Sequence, residues 1–156
     1  VAGRADEDPH APQLHDNDTA WAQQLLDQLR PAVRDPRRVV AWLGRTVRAA
    51  VCLQDAHGAL LAGDRVPLDA TVLADLVAGR ISAAALQDGT RHLRMVRLPH
   101  PEQGPAAGSV LAVVRPEPFD RRAAEIVHHA AGVLELLLRE RKLTESRHRL
   151  QRATAD

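Results

Sequence analysis

Ala49-Ala50-Val51-Cys52-Leu53-Gln54-Asp55-Ala56-His57-Gly58-Ala59-Leu60-Leu61-Ala62-Gly63 reads as a strand, a tight turn and a returning strand. Gly58 closes the turn. A glycine there suits a type I turn with a bulge, because that position needs a positive φ. A hairpin pairs its strands antiparallel, so the remaining segments are read around an antiparallel sheet.

Toward the C-terminus, Leu68 to Ala78 is a short helix, with Asp69 near its start and Gly79 as its stop. Ile81 to Gln87 is a third strand. Asp88-Gly89 is the strongest hairpin signal in the chain, and Arg91 to Leu98 is the fourth strand. His100 to Gly108 carries prolines and glycines and reads as a loop. Ser109 to Arg115 is a fifth, strongly apolar strand, ended by Pro116-Glu117-Pro118.

Toward the N-terminus, Asp35 caps a helix with Pro36 at its first position, the place proline prefers. Val39, Val40, Trp42, Leu43 and Val47 supply its buried side. Before it, Thr19 caps a helix through Arg30, with Trp21, Leu25, Leu26 and Leu29 on one face. Pro31 interrupts that helix. Residues 1–18 are poor in apolar side chains and are expected to form a flexible tail.

From Asp120 to about Ala153 there is no proline, and the only glycine is Gly132. The first half of this segment is apolar nearly all round, as a helix on a core should be. The second half keeps only Leu143 and Leu150 among polar neighbours. Leu136, Leu143 and Leu150 stand seven apart and form one stripe. A mostly polar helix of this length is marginal alone in water, so it is expected to pair with a second copy or to lead elsewhere.

The expected fold class is α+β: an antiparallel sheet of about five strands, N-terminal helices and a long C-terminal helix. Helices from both ends cover one sheet face, and the short middle helix lies on the other. The 156 residues form one domain with appendages, divided at 1–18, 19–138 and 139–156.

Composition narrows the function. Hydrophobic residues make up 45 %, with one phenylalanine and no tyrosine, so the core is built from Ala, Val and Leu. A net charge of +1 points to neither nucleic acid nor membrane. No apolar run reaches the length of a membrane span. No signal-peptide pattern opens the sequence, and a cytoplasmic location is expected. The single cysteine, Cys52, excludes an internal disulfide and a cysteine-based zinc site. Mid-strand between Val51 and Leu53, it reads as a buried, unreactive thiol.

No catalytic arrangement, phosphate-binding glycine loop or metal set stands out, and neither a cofactor nor enzymatic activity is expected. His128 and His129 are adjacent on a helix, point about 100° apart and do not chelate one ion. In the fourth strand, His92, Arg94, Val96 and Leu98 share one face, and Leu93, Met95 and Arg97 share the other. Arg94 or Arg97 suits an anionic ligand, since a guanidinium pairs bidentately with carboxylate or phosphate. Gln54 and Ser82 are polar strand positions that would line the same cavity, with His92 beside them. The competing reading is a solvated edge strand whose charges discourage pairing.

Two segments carry a family resemblance. Val51 to Gly63 resembles the strand–turn–strand opening of GAF and PAS sensor sheets. Gly108-Ser109-Val110-Leu111-Ala112-Val113-Val114, followed by Pro118-Phe119-Asp120-Arg121-Arg122-Ala123, resembles the last GAF strand and the start of a signalling helix. With Leu134-Glu135-Leu136-Leu137-Leu138-Arg139-Glu140-Arg141, the combination is similar to the sensory region of actinobacterial PucR/CdaR-type transcription regulators. The resemblance covers roughly Asp35 to Leu150.

This resemblance implies a regulatory sensory and dimerisation domain, with or without a small-molecule ligand. It implies DNA contact only through a further C-terminal domain, to which 139–156 would be the start of a helical linker. The homodimer would pair Trp21, Leu25 and Leu29, or Leu134, Leu136 and Leu138, continuing through Leu143 and Leu150. Two alternatives are a ligand-free assembly module and the sensory part of a signalling enzyme such as a histidine kinase.

Overall fold

The computed structural model describes residues 10–99 and 108–155, with side chains at 19–99, 108–141 and 147–152. Helix α1 spans His10–Asp27, and a 3-10 turn follows at Pro31–Val33. Helix α2 is Pro36–Val47. Strands β1 (Ala50–Gln54) and β2 (Leu60–Gly63) precede helix α3 (Ala70–Val77). Strands β3 (Ala83–Asp88), β4 (Arg91–Leu98) and β5 (Ser109–Arg115) follow, and helix α4 runs from Arg121 to Ala155. The fold is α+β.

Short polar side chains start the helices. The Asp35 carboxylate accepts the Arg37 backbone N–H at 2.9 Å, and Pro36 needs no partner there. Asp69 accepts from the Val72 N–H at 3.0 Å, and Asp120 accepts from the Ala123 N–H at 2.7 Å. Helix α1 starts differently from expectation. Its described part runs from His10, so Thr19 lies within the helix instead of capping it, and 10–18 are helical. Residues 1–9 lie outside the described residues, as does 100–107 of the expected loop.

The sheet order is β2-β1-β5-β4-β3, antiparallel throughout. In the first hairpin, the Asp55 carboxylate accepts the N–H groups of His57 and Ala59 at 2.8 and 2.9 Å. Gly58 takes φ +86, as a glycine closing this turn should. The second hairpin is shifted from its expected turn. Asp88 pairs with Arg91, so Gly89 and Thr90 are the central residues and Asp88 ends the strand. Only Gly89 has a positive φ, +61, the pattern of a II′ turn. Strand β3 accordingly starts at Ala83, and Ser82 lies just outside it.

Period-two alternation sorts the strands onto two cores. Val51, Leu53, Leu111, Val113 and Leu98 face α1, α2 and α4. Val39, Val40, Trp42, Leu43 and Val47 of α2 are buried there, together with Ile126, Val127, Ala130 and Leu134 of α4. On the opposite face, Cys52, Met95, Val110 and Ala112 lie under Leu76 of α3. Terminal helices on one face and the short helix on the other is the arrangement read from the sequence.

Buried positions on α4 recur at Ala123, Ile126, Val127, Ala130, Ala131, Leu134 and Leu137, the spacing of one helical stripe. Leu138 packs partly against the same core, and Arg141 is exposed. Residues 141–155 add about 22 Å of helix beyond that point, at 1.5 Å per residue.

Candidate functional site

The polar strand positions do not form one cavity. Gln54 lies on the α3 side of the sheet and is buried, with the Cys52 Sγ–H donating to its Oε1 at 3.8 Å. Gln54 and Arg97 both pair with Val110, so they share a row across the sheet on that side. Arg97 lies over Gly108, where an added Cβ would come within 3.0 Å of its Nε. Its backbone N–H donates to the Ser82 carbonyl oxygen at 2.9 Å, and the Ser82 side chain is exposed. Between these groups the α3 side is closed by apolar atoms, since Leu76, Met95 and Val110 have no exposure. Burial raises the Cys52 thiol pKa, which keeps it protonated and inert.

His92 and Arg94 lie on the opposite face. Of the two arginines offered as alternatives, Arg97 is the one on the side of Gln54, so His92 and Arg94 do not share that side with it. Arg94 instead lies over Phe119, a ring it shares with Arg115. The Arg94 Cζ lies 5.5 Å from the Phe119 ring centroid, and the Arg115 Cζ lies 5.4 Å from the same ring. Both distances are within cation–π range. The antiparallel register causes this. His92 is opposite Arg115 and Arg94 is opposite Val113, so the two arginines are diagonal neighbours on one face. Arg115 also reaches Glu117 at 3.6 Å. The Nε atoms of Arg94 and Arg115 are both buried and lack a hydrogen-bond partner. The signal available beforehand was that Phe119 is the chain's only phenylalanine. Its meeting with two guanidiniums depends on strand register, which no local pattern reveals.

The residues expected to form a dimer surface divide as well. Leu25 and Leu134 are buried inside the single chain at 4 % and 0 % exposure and are unavailable to a partner. For these two the expectation is corrected, since the α1 and α4 faces that carry them are consumed by the core. Leu29 and Leu138 pack partly on that core, and Trp21 stacks 5.5 Å from His129. Leu136 is 42 % and Leu150 is 68 % exposed. The Leu143 side chain lies outside the described residues. Leu26 of α1, expected on one face with Trp21, Leu25 and Leu29, is exposed while Leu25 is buried.

A groove of about 590 Å³ lies between the start of α2 and the far half of α4, lined by Arg34, Asp35, Arg37, Glu140, Arg141 and His148 among others. Its charges are largely matched internally: Arg34 pairs with Glu140 at 2.6 Å, and Arg37 with Asp35 at 3.1 Å. Among the described residues, no three His, Cys, Asp or Glu side chains are placed to hold a metal ion. No described helix is long and apolar enough to cross a membrane. No protein-family model matches the chain, and no curated protein matches it.

Proposed function

We propose that this chain is the regulatory, dimerising module of a bacterial transcription regulator and works in the cytoplasm. Helix α4 would be the lead to a DNA-binding part. One observation carries the reading: α4 continues to Ala155, and among the described side chains the last one packed on the apolar core is Leu138. A half-helix of this kind has little reason to be stable alone. The exposed Leu136 and Leu150, two heptads apart, would supply a seam for a second copy. Packing two such helices side by side would let a change at the sheet reach the output by shifting their relative placement. The order of elements and the antiparallel sheet agree with the GAF-like resemblance of the two hairpin and helix segments.

The test is sedimentation velocity over a wide concentration range, comparing the chain with its Leu136→Glu/Leu150→Glu double variant. A dimer that the double variant dissociates would support the proposal. A wild-type monomer at the highest attainable concentration would sink it.

Ligand-free assembly is a second reading, and a specific observation favours it. Under α3 the side chains of Leu76, Met95, Val110 and Cys52 pack together with almost no exposure, as the core of a ligand-free module would.

A further inference from the structure

We propose that the other sheet face binds a small organic carboxylate held by Arg94, whose guanidinium shares the Phe119 ring with Arg115. The seat is a shallow depression of about 170 Å³ lined by Ala83, Ala84, Ala85, Arg94, Met95 and Val96. Its shape follows from the register. Ala85 is opposite Arg94 and Ala83 is opposite Val96, so two small side chains of the edge strand lie next to two larger ones. Ala83 and Ala85 are exposed, so the floor opens to solvent.

The charge is unbalanced at this place. Two guanidiniums flank one phenylalanine ring, and Glu117, at 3.6 Å, pairs with Arg115 alone. Arg94 has no acidic partner among the described residues. The Nε of Arg94, the arginine that lines the depression, is a buried donor without an acceptor, which costs free energy and leaves its guanidinium short of a partner. A carboxylate fits the planar fork of a guanidinium and would relieve both the missing acceptor and the repulsion between like charges. The apolar floor of Ala83, Ala85 and Val96 selects an organic tail, which inorganic phosphate lacks.

Phe119 gives the site its consequence. It lies two positions before Arg121, where α4 begins, and it packs on the same core as α4. A ligand that redistributes the two guanidiniums around this ring acts where the output helix starts. That consequence rests on the regulatory reading, whereas the binding itself stands on the sheet geometry.

Sodium butanoate is the probe, followed by NMR of the arginine Nε–H groups and the alanine methyls. Saturable shifts are expected at Arg94, Ala83 and Ala85, with 1-butanol giving none. Arg94→Gln is expected to weaken binding by about tenfold or more, the loss typical of a charge-assisted contact. Ala85→Leu should weaken it comparably by filling the depression while leaving both arginines in place. Because Ala85 is exposed, that variant keeps the test valid even if Arg94→Gln fails to fold. Absence of saturable shifts at Arg94 overturns the proposal. So does inorganic phosphate binding as tightly as butanoate with Ala85→Leu having no effect, which would mark a generic anion contact. Sedimentation separates the two readings. A monomer that binds butanoate removes the regulator and keeps the site, and a dimer that ignores butanoate does the reverse.

Discussion

Arg34 reaches from the segment before α2 to Glu140 on α4, 2.6 Å away and 106 positions later in the chain. The pair joins the α1–α2 connection to the long helix just beyond Leu138, which packs partly on the core. Both side chains are substantially exposed, at 32 % and 43 %. Screening by solvent therefore leaves a global contribution of about 0.5 kcal/mol or less. The local effect is expected to be larger than the global one. Arg34→Met should leave the unfolding midpoint nearly unchanged but speed hydrogen exchange in the α4 amides around Glu140. Uniform exchange along α4 in both proteins would show that the contact does not tether the helix.

Two leucines two positions apart on α4 should behave oppositely. Leu134 has no exposure, and Leu134→Ala is expected to cost about 2–5 kcal/mol in urea unfolding. Leu136 is 42 % exposed. Leu136→Ala should change the stability of the dissociated chain by only about 0.5 kcal/mol while weakening self-association. Equal losses for both variants in dilute protein would contradict the packing described for α4.

Asp35 ties acid stability to the start of α2. The Arg37 side-chain hydrogen bond holds its carboxyl below the ordinary 3.8, and partial burial opposes the shift. A carboxylate with a depressed folded pKa contributes stability above its unfolded pKa and loses it as pH falls through the folded value. The window is thus below about pH 3.8, the ordinary value of the group in the unfolded chain. Asp35→Asn can still accept the cap hydrogen bond. It is expected to flatten the pH dependence of stability there, relative to the parent, while costing little at neutral pH. Parallel curves for the two proteins would show that Asp35 is not the group involved.

Backbone conformation gives a paired prediction. Gly63 has φ +78, and a Cβ there would collide with the carbonyl oxygen of Val51 on the neighbouring strand. Gly63→Ala combines that collision with left-handed strain, which alone costs about 1–2 kcal/mol, so thermal unfolding should drop clearly. Arg48 ends α2 at φ 54, the one described non-glycine residue with a positive φ. Arg48→Gly relieves the strain and should gain up to about 1 kcal/mol. A destabilised Arg48→Gly variant would mean that the side chain contributes more than the strain costs.

Three of the four segments that cap or turn the chain were legible because their chemistry is local. Asp35-Pro36, Asp69 and Gly58 each act within four residues of themselves, whereas the cap at Asp120 was not read from the sequence. The second hairpin slipped because Asp88-Gly89 and Gly89-Thr90 are both acceptable turn centres, and pairing of Asp88 with Arg91 chose between them. The start of α1 was missed because 10–18 lack the apolar periodicity that marks a helix.

Secondary structure, the α+β class and the side of the sheet that each helix covers followed from the sequence, since propensity, capping and alternation are short-range. Tertiary structure alone decided which polar groups meet. Arg94 and Arg115 are distant in sequence, and only antiparallel register brings them to one ring. It also decided that Leu25 is buried while Leu26 is exposed. Adjacent helical residues point about 100° apart, and the rotation of a helix about its axis is set by what it packs against, not by its own sequence.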